Sequence, residues 1–529
     1  MPKAVSRMPF RRAAATLVPL ICLVASTCFA PSEASAQDYL ARVNDSFSLI
    51  RPELRSDTKL LPLLAKMEPA PVGADRFDQS RLLPAGSQVW SAASAWAQAP
   101  SQQEILKALA EVTAEEDYRF AFGFGQPYGT QGVPVAQIRA KLYTELGDPP
   151  LLAGARHLYM PAFETMGCLV NVEATRLVED GKPSDAIDLL VNWLFFARQI
   201  ADREFFAEME WALSTMASTF ERIRDVAYQD SQGARAIDPD RLLEVIDRLD
   251  GSGFIGIDRL TLPRADMIGV EQTIARVYVN QGAVNKATFG STLARLRSAD
   301  RPLRLYGEAA KWDSIADRQK NWFDINEDVR KIINDWTSRW TLEWFDQRMT
   351  QAYEYRGLDA SSSVIQATAP DMGRLFDLRQ IVRAEDVGTR HALGVYGYYL
   401  TMGAWPPTLA AIRPTWIGQL EADPFNPRRE RGARPPMEFF VPIRDTRLQF
   451  GDRETPQPHD MNIVTPNANF SRRIGEDQFV LYSVGGNGGK DWARQIQNTA
   501  ENAAGADYLI WPPIVSLQRQ HLIERGQLK

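Results

Sequence analysis

Cysteine is nearly absent from this chain of 529 residues, which has only three. Cys22 and Cys28 lie in an N-terminal apolar run, so Cys168 is the only thiol in the rest of the sequence. One thiol cannot form an internal disulfide, and the fold has to be held by packing, hydrogen bonds and charge. Cys168 sits in an apolar helical stretch and reads as a small core residue rather than a nucleophile. Histidine is scarce too: His157, His391, His459 and His521 are far apart, without ligand spacing, and are expected at surface or capping positions. His-Glu-x-x-His, Cys-x-x-Cys and Gly-x-Ser-x-Gly are all missing, which removes the common signatures of zinc peptidase, thiol-redox and α/β-hydrolase chemistry. There is no basic excess either, the net charge being −6. Phosphate contacts need clustered Lys and Arg, so no nucleic-acid partner is expected.

What is present begins at the N-terminus. Lys3, Arg7, Arg11 and Arg12 precede an apolar run from Ala13 to Ala30, and Ala34-Ser35-Ala36 forms a small-x-small site before Gln37. This reads as a secretory signal peptide over residues 1–36. The alternative is an uncleaved anchor, since about 18 apolar residues just span a bilayer. Cleavage removes four basic residues and Glu33, leaving a net charge of −9. The expectation is an exported protein, periplasmic or extracellular, with no membrane span after signal cleavage.

The remaining length suits two or three domains of about 150 residues. An N-terminal helical region is expected over 37–156, with helices at 37–66 and 82–99 and a Ser101–Glu104 capping box opening a third. The glycine- and aromatic-rich stretch 117–135 lacks a following Gly-Lys-Ser/Thr and reads as an ordered loop, not a phosphate cradle. A central helical domain is expected over 157–356. Ile187, Leu190, Val191, Leu194 and Ala197 form one helical stripe; Phe206, Met209, Leu213, Met216, Phe220, Ile223 and Ala227 form another. Asp238 is placed as an N-cap before Pro239. A long helix is expected over 315–355, with Trp322, Trp336, Trp340 and Trp344 on one stripe among acidic residues. Those tryptophans read either as sugar-stacking platforms or as a buried seam, and their helical spacing favours the seam. Glu164, Glu173, Glu208 and Glu210 are candidates for a paired acid–base site.

After a linker at 357–370, a small α+β module is expected over 371–513, followed by a tail at 514–529. Its helix runs from about Asp371 to Thr401 and stops at Gly403. Strands are expected at Met437–Ile443, Phe479–Tyr482 and Tyr508–Trp511, with an irregular polar stretch from Thr455 to Arg473. Tyr399, Gly403, Pro406, Leu409, Asp423-Pro424-Phe425, the Tyr482–Gly488 turn and Ala506-Asp507 before Trp511 occur in a telling order. By these residues, about His391 to Pro512 resembles the globular part of the major pseudopilin of type II secretion. It also resembles the C-terminal segment of uncharacterised exported proteins of the planctomycete type, whose middle is similar to His157–Asp225. The resemblance implies a pseudopilin-like α+β fold and a Ca²⁺ ion at the glycine-rich turn. By position its ligands would be Ser483, Asn487, Asp491 and Asp507. Asn487 stands where the family has an acid, and Trp492–Ala506 lengthens the turn. A cleavable signal replaces the prepilin motif, so a pilus subunit is not expected.

The fold class read from the sequence is mainly α: an N-terminal and central helical bundle followed by a small pseudopilin-like α+β C-terminal module. The expected function is that of a non-enzymatic cell-envelope binding or scaffolding protein, with an unknown protein or envelope partner. The alternative is a carbohydrate-active hydrolase using paired carboxylates.

Overall fold

The computed structural model describes residues 36–528 apart from 116, 252, 254, 279, 299–304, 431, 467 and 500–504. All but the last residue of the expected signal peptide therefore lies outside the described residues. The helix expected over 37–66 is two, α1 (Ala36–Ser48) and α2 (Ser56–Leu64), because Pro52 opens a 3₁₀ turn between them. Next come α3 (Phe77–Leu82), α4 (Trp90–Ala97) and α5 (Pro100–Val112). The capping box at Ser101 does not form. Ser101 donates instead to Glu68 at 3.2 Å, and Pro100 at the first helical position sets the start. The aromatic loop is ordered and partly internal, with Phe124 and Tyr128 buried. It precedes α6 (Val135–Arg139) and a short antiparallel pair, β1 (Thr144–Glu145) and β2 (Arg156–His157).

The centre is three long helices, α7 (Met160–Glu179), α8 (Pro183–Ala201) and α9 (Phe206–Gln232). Every residue named above in the two apolar stripes except the half-buried Phe206 is buried, on α8 and α9 respectively, and Cys168 is buried on α7. Each large side chain so enclosed stabilises the fold by about 1.5–3 kcal/mol. Asp238 caps α10 (Pro239–Arg248) by accepting from Asp240 N at 2.9 Å. Leu260 is extended and Pro263 follows, ahead of α11 (Ala265–Val277). A hairpin of α12 (Lys286–Ser298) and α13 (Leu305–Ala316) has no counterpart in the sequence expectation. Asn321 caps α14 (Trp322–Trp340), accepting from Phe323 N and Asp324 N at 3.0 Å each. The helix expected to continue to 355 ends at Trp340. There the Arg339 guanidinium draws the chain back by donating to the carbonyls of Arg348, Gln351 and Ala352.

The stretch 357–370 is not an exposed linker. It carries α15 (Ser363–Thr368), whose Val364 and Ile365 are fully buried and which packs on α11. The 30-residue α16 (Gly373–Met402) lies along α9 and stops where Gly403 turns left-handed at φ 72°. Beyond it, β3 (Glu438–Phe440) begins a C-terminal region of open sheets. The stretch 455–473 is not irregular. It contributes to two hairpins, β4 (Arg447–Phe450) with β5 (Arg453–Pro456) and β6 (His459–Thr465) with β7 (Ala468–Ile474). The alternation of buried His459, Met461 and Ile463 with exposed neighbours is the period-2 signature of β6. β8 (Val480–Ser483) is the middle strand of a sheet ordered β10-β8-β3, β9 (Gln495–Ile496) runs parallel to β6, and β10 is Tyr508–Trp511. β8 and β10 are buried along their whole length and pack on α16. The expected tail is also helical: α17 (Ile514–Glu524) buries Val515 and Leu517. One apolar core runs from Leu60 to Leu517, and the described residues form one compact unit.

Buried charges join these parts along α9. Near its start, Glu208 accepts from Tyr128 Oη at 2.6 Å, from Arg203 Nε at 2.8 Å, and from Tyr159 Oη. Further along, Arg224 pairs with Glu385 of α16 at 2.6 Å and donates to the carbonyl of Ile510 in β10 at 3.0 Å. Asp225 accepts both terminal nitrogens of Arg519 in α17, at 2.8 and 2.7 Å, and bonds to Arg222 and Ser516. Burial alone would raise its pKa, but Arg519 and Arg222 outweigh burial and hold it well below the usual carboxylate range.

Leu213→Ala is expected to destabilise the protein by about 2–5 kcal/mol in chemical denaturation, since it empties fully buried volume in the α9 stripe. A loss below about 0.5 kcal/mol, the level of surface sites, would contradict this packing.

Candidate functional site

A cleft of about 940 Å³ opens between α1, the segment 258–264, α11, α14 and α16. Its wall is apolar: Leu262, Met267, Ile268, Ile333, Trp336 and Trp340. Trp336 is fully buried and Trp340 nearly so, with the Trp340 Nε1 donating to the carbonyl of Leu260 at 2.8 Å. At one end sit Arg379 and Arg383, one turn apart on α16. Arg379 is 5% exposed; its Nη1 donates to the Trp340 carbonyl at 2.6 Å and its guanidinium lies 4.8 Å from the centre of a Trp340 ring. Burial, then repulsion from Arg383, lowers its pKa to about 10, so it stays charged at neutral pH. Asp258, 77% exposed in its side chain, serves both cations: 3.6 Å from Arg379 Nη2 and 3.0 Å from Arg383 Nε.

The four glutamates considered for acid–base work are dispersed. Glu164 accepts from Trp211 Nε1 at 2.6 Å, Glu173 pairs with Arg176 at 2.7 Å, and Glu210 pairs with Arg374 at 2.8 Å. Glu208 is enclosed in its own network, with both oxygens engaged. A second cleft, of about 490 Å³, does bring other carboxylates together, Glu221 and Glu385, with the exposed Asp78 also in its lining. The two glutamates are committed: Glu385 to Arg224 and to Tyr508 Oη at 2.7 Å, Glu221 to Arg81 and to Val515 N at 3.0 Å. No tryptophan lines this cleft.

The histidines are not surface residues as a set; three of them pack against aromatic rings. His157 lies 4.9 Å from the Phe205 ring, His459 5.0 Å from Phe440, and His521 stacks on Phe470 at 4.6 Å. His391 is buried, with both ring nitrogens unbonded, and burial beside Arg390 pushes its pKa down to about 3. A ring pinned in its neutral form is poorly suited to shuttling protons near pH 7.

At the glycine-rich turn, hydrogen bonds already engage most of the expected calcium ligands. Ser483 Oγ donates to Asp423 Oδ1 at 2.7 Å and accepts from Gly485 N. Asn487 Oδ1 accepts from Gly489 N at 2.7 Å, and its amide donates to Gly505. Asp507 Oδ2 accepts from Ala493 N at 2.6 Å, while Oδ1 is buried without a partner. Burial, with a contribution from nearby Asp491, lifts the Asp507 pKa to about 6. Among the described residues, no three His, Cys, Asp or Glu side chains are grouped as a metal site.

No family model, curated protein or solved structure matches this chain. Function has to be read from the side chains themselves. No helix among the described residues is long and apolar enough to cross a membrane. The arginine-ended cleft escaped sequence reasoning because its walls come from five separate elements. Its one local signal is Arg379 and Arg383 at i, i+4 within the apolar face of α16.

Asp266, next to the cleft wall at the start of α11, accepts from Phe206 N at 2.6 Å. Burial raises its pKa from 3.8 to about 7, and Glu208 adds to the shift. A carboxyl raised on folding stabilises below its unfolded pKa, and that contribution is lost as pH rises from about 4 through about 7. Asp266→Asn keeps the acceptor and is expected to flatten this part of the stability–pH curve. At pH 8 it should gain on the order of 1–2 kcal/mol, a discounted figure because the side chain retains some solvent contact. An unchanged pH profile in thermal denaturation would contradict the assignment.

Proposed function

We propose that the protein is an exported, non-enzymatic binding or scaffolding protein of the cell envelope, periplasmic or extracellular, with a protein or envelope partner. The observation that carries this reading is the burial of Trp336 and Trp340 in a helix seam lining an apolar, arginine-ended cleft. A sugar hydrolase would instead present an exposed aromatic platform beside two free carboxylates about 5–10 Å apart. The hydrolase alternative draws on Glu221 and Glu385, which share a cleft wall but are both tied to arginines. Export is supported by the basic, apolar and small-residue order of the N-terminus.

The test is expression of the full chain in a secretion-competent host, followed by fractionation, N-terminal mass spectrometry and a glycoside-hydrolysis panel. The expected result is a chain starting at Gln37, outside the cytoplasm, that turns over none of the glycosides. An intact Met1 would argue against signal cleavage. Hydrolysis abolished by Glu221→Gln or Glu385→Gln would replace the binding reading with the hydrolase.

A calcium ion at the glycine-rich turn belongs to the same proposal, with Asp491 and Asp507 for charge and Ser483 and Asn487 for neutral oxygens. The unpartnered, buried Asp507 Oδ1 supports it. Two acids suit a weak extracellular-type site of roughly 10⁻⁴–10⁻³ M. Thermal melts should rise with Ca²⁺ at roughly 5 mM, above that range, and cease to respond in Asp507→Ala. A wild-type melt indifferent to Ca²⁺ would dispose of the site.

A further inference from the structure

The 940 Å³ cleft combines two features that point to one kind of ligand. The first is a pair of unsatisfied donors. Arg379 Nε and Trp336 Nε1 are both buried, both belong to side chains lining the cleft, and neither has a hydrogen-bond partner. Leaving such groups unpaired is unfavourable, and an acceptor that reached either one would relieve it. The second is charge. Asp258 serves Arg379 and Arg383, and Glu343 lies 3.7 Å from both Arg383 and Arg434. Of the residues that line the cleft, Arg379 and Arg383 thus share Asp258, two guanidinium groups to one carboxylate.

Elsewhere around the rim Arg42 pairs with Glu271 at 2.9 Å and Arg264 with Glu204 at 2.8 Å, and Asp45 and Arg259 also line the cleft. Away from the arginine end, the wall of Leu262, Met267, Ile268 and Ile333 offers only hydrocarbon. The volume is within the roughly 300–1,000 Å³ of ordinary small-molecule sites.

From this juxtaposition we propose that the cleft binds a long-chain carboxylate, a single-chain fatty acid. Its head group would lie at Arg379 and Arg383, and its alkyl chain along the wall formed by α11 and α14. A monoanion matches the single excess charge, and a planar carboxylate matches the fork of a guanidinium. The buried Trp340 face under Arg379 holds that guanidinium in place before any ligand arrives. This assignment rests on the reading of the protein as a binding protein and names its ligand class.

The experiment is isothermal titration of the mature chain with octanoate, decanoate, dodecanoate and hexadecanoate below their micelle concentrations. Dodecanol and dodecyltrimethylammonium serve as head-group controls. The expected result is one site per chain, with each added methylene tightening binding about three- to fourfold. Dodecanol should bind at least tenfold more weakly than dodecanoate, and the cationic surfactant should not bind. Arg379→Met should weaken dodecanoate at least tenfold, with Arg473→Gln, on an exposed hairpin, as the unaffected control. Thr337→Trp fills the cleft from an exposed wall position without removing a buried group. It should block binding even if Arg379→Met fails to fold. Equal affinity for dodecanoate and the cationic surfactant, or dodecanoate binding unchanged by Thr337→Trp, would overturn the proposal. Absence of binding in the wild type would overturn it alone and leave the non-enzymatic reading standing. Recovery of chemically altered ligand by mass spectrometry would overturn the non-enzymatic reading instead.

Discussion

Asp225, a single carboxylate inside the protein, links three segments far apart in the chain. Arg519 of α17 makes a two-pronged contact with it, Ser516 adds a third hydrogen bond, and Arg222 approaches from its own helix. The Arg519 guanidinium also donates to the carbonyls of Arg81 and Leu82, which close the C-terminal end of α3. An ion pair this deep contributes little to net stability compared with apolar side chains of the same shape, but losing one partner costs about 3–5 kcal/mol. Its effect is therefore mainly on specificity: α3, α9 and α17 meet in one arrangement. Arg224 acts the same way between α9, α16 and β10, and Glu208 between α9 and the aromatic loop. With no disulfide among the described residues, these contacts orient apolar faces that would otherwise pack in several ways.

The same constraint shapes the cleft. α16 is held against α9 by Arg224 and Glu385, so its opposite side presents Arg379 and Arg383 to the gap beside α14. The apolar wall then comes from Trp336 and Trp340, whose position depends on Asn321 starting α14 and on Arg339 folding the following chain back. The site is made by the packing of five elements, which is why no short motif announces it.

Elements with a strong period or a clear stop were legible in the sequence. The α8 and α9 stripes, the Asp238 cap, the end of α16 at Gly403 and the strands β8 and β10 all follow from local chemistry. Elements whose structure depends on distant partners were not. The segment 514–529 looks polar because Arg519 is charged, and its helix is docked by a carboxylate about 290 residues earlier in the chain. The hairpins over 447–474 are short and half-exposed, so their alternation is weak against turn-rich composition. Ser362 and Ser363 look like linker residues, yet Val364 and Ile365 beside them fill a gap against α11. Of the candidate site, the sequence offered the tryptophan seam but neither Arg379 nor its unpartnered Nε.

Native-state hydrogen exchange, read by mass spectrometry in wild type and Asp225→Asn, tests the anchoring role of this buried carboxylate most directly. In the wild type, peptides from α3 and α17 should be protected to nearly the level of α9, because all three open together. In the variant, α17 and α3 should lose most of that protection while α7 and α8 keep theirs. A wild-type α17 that exchanges like a free tail, or a variant whose α17 stays fully protected, would contradict the account.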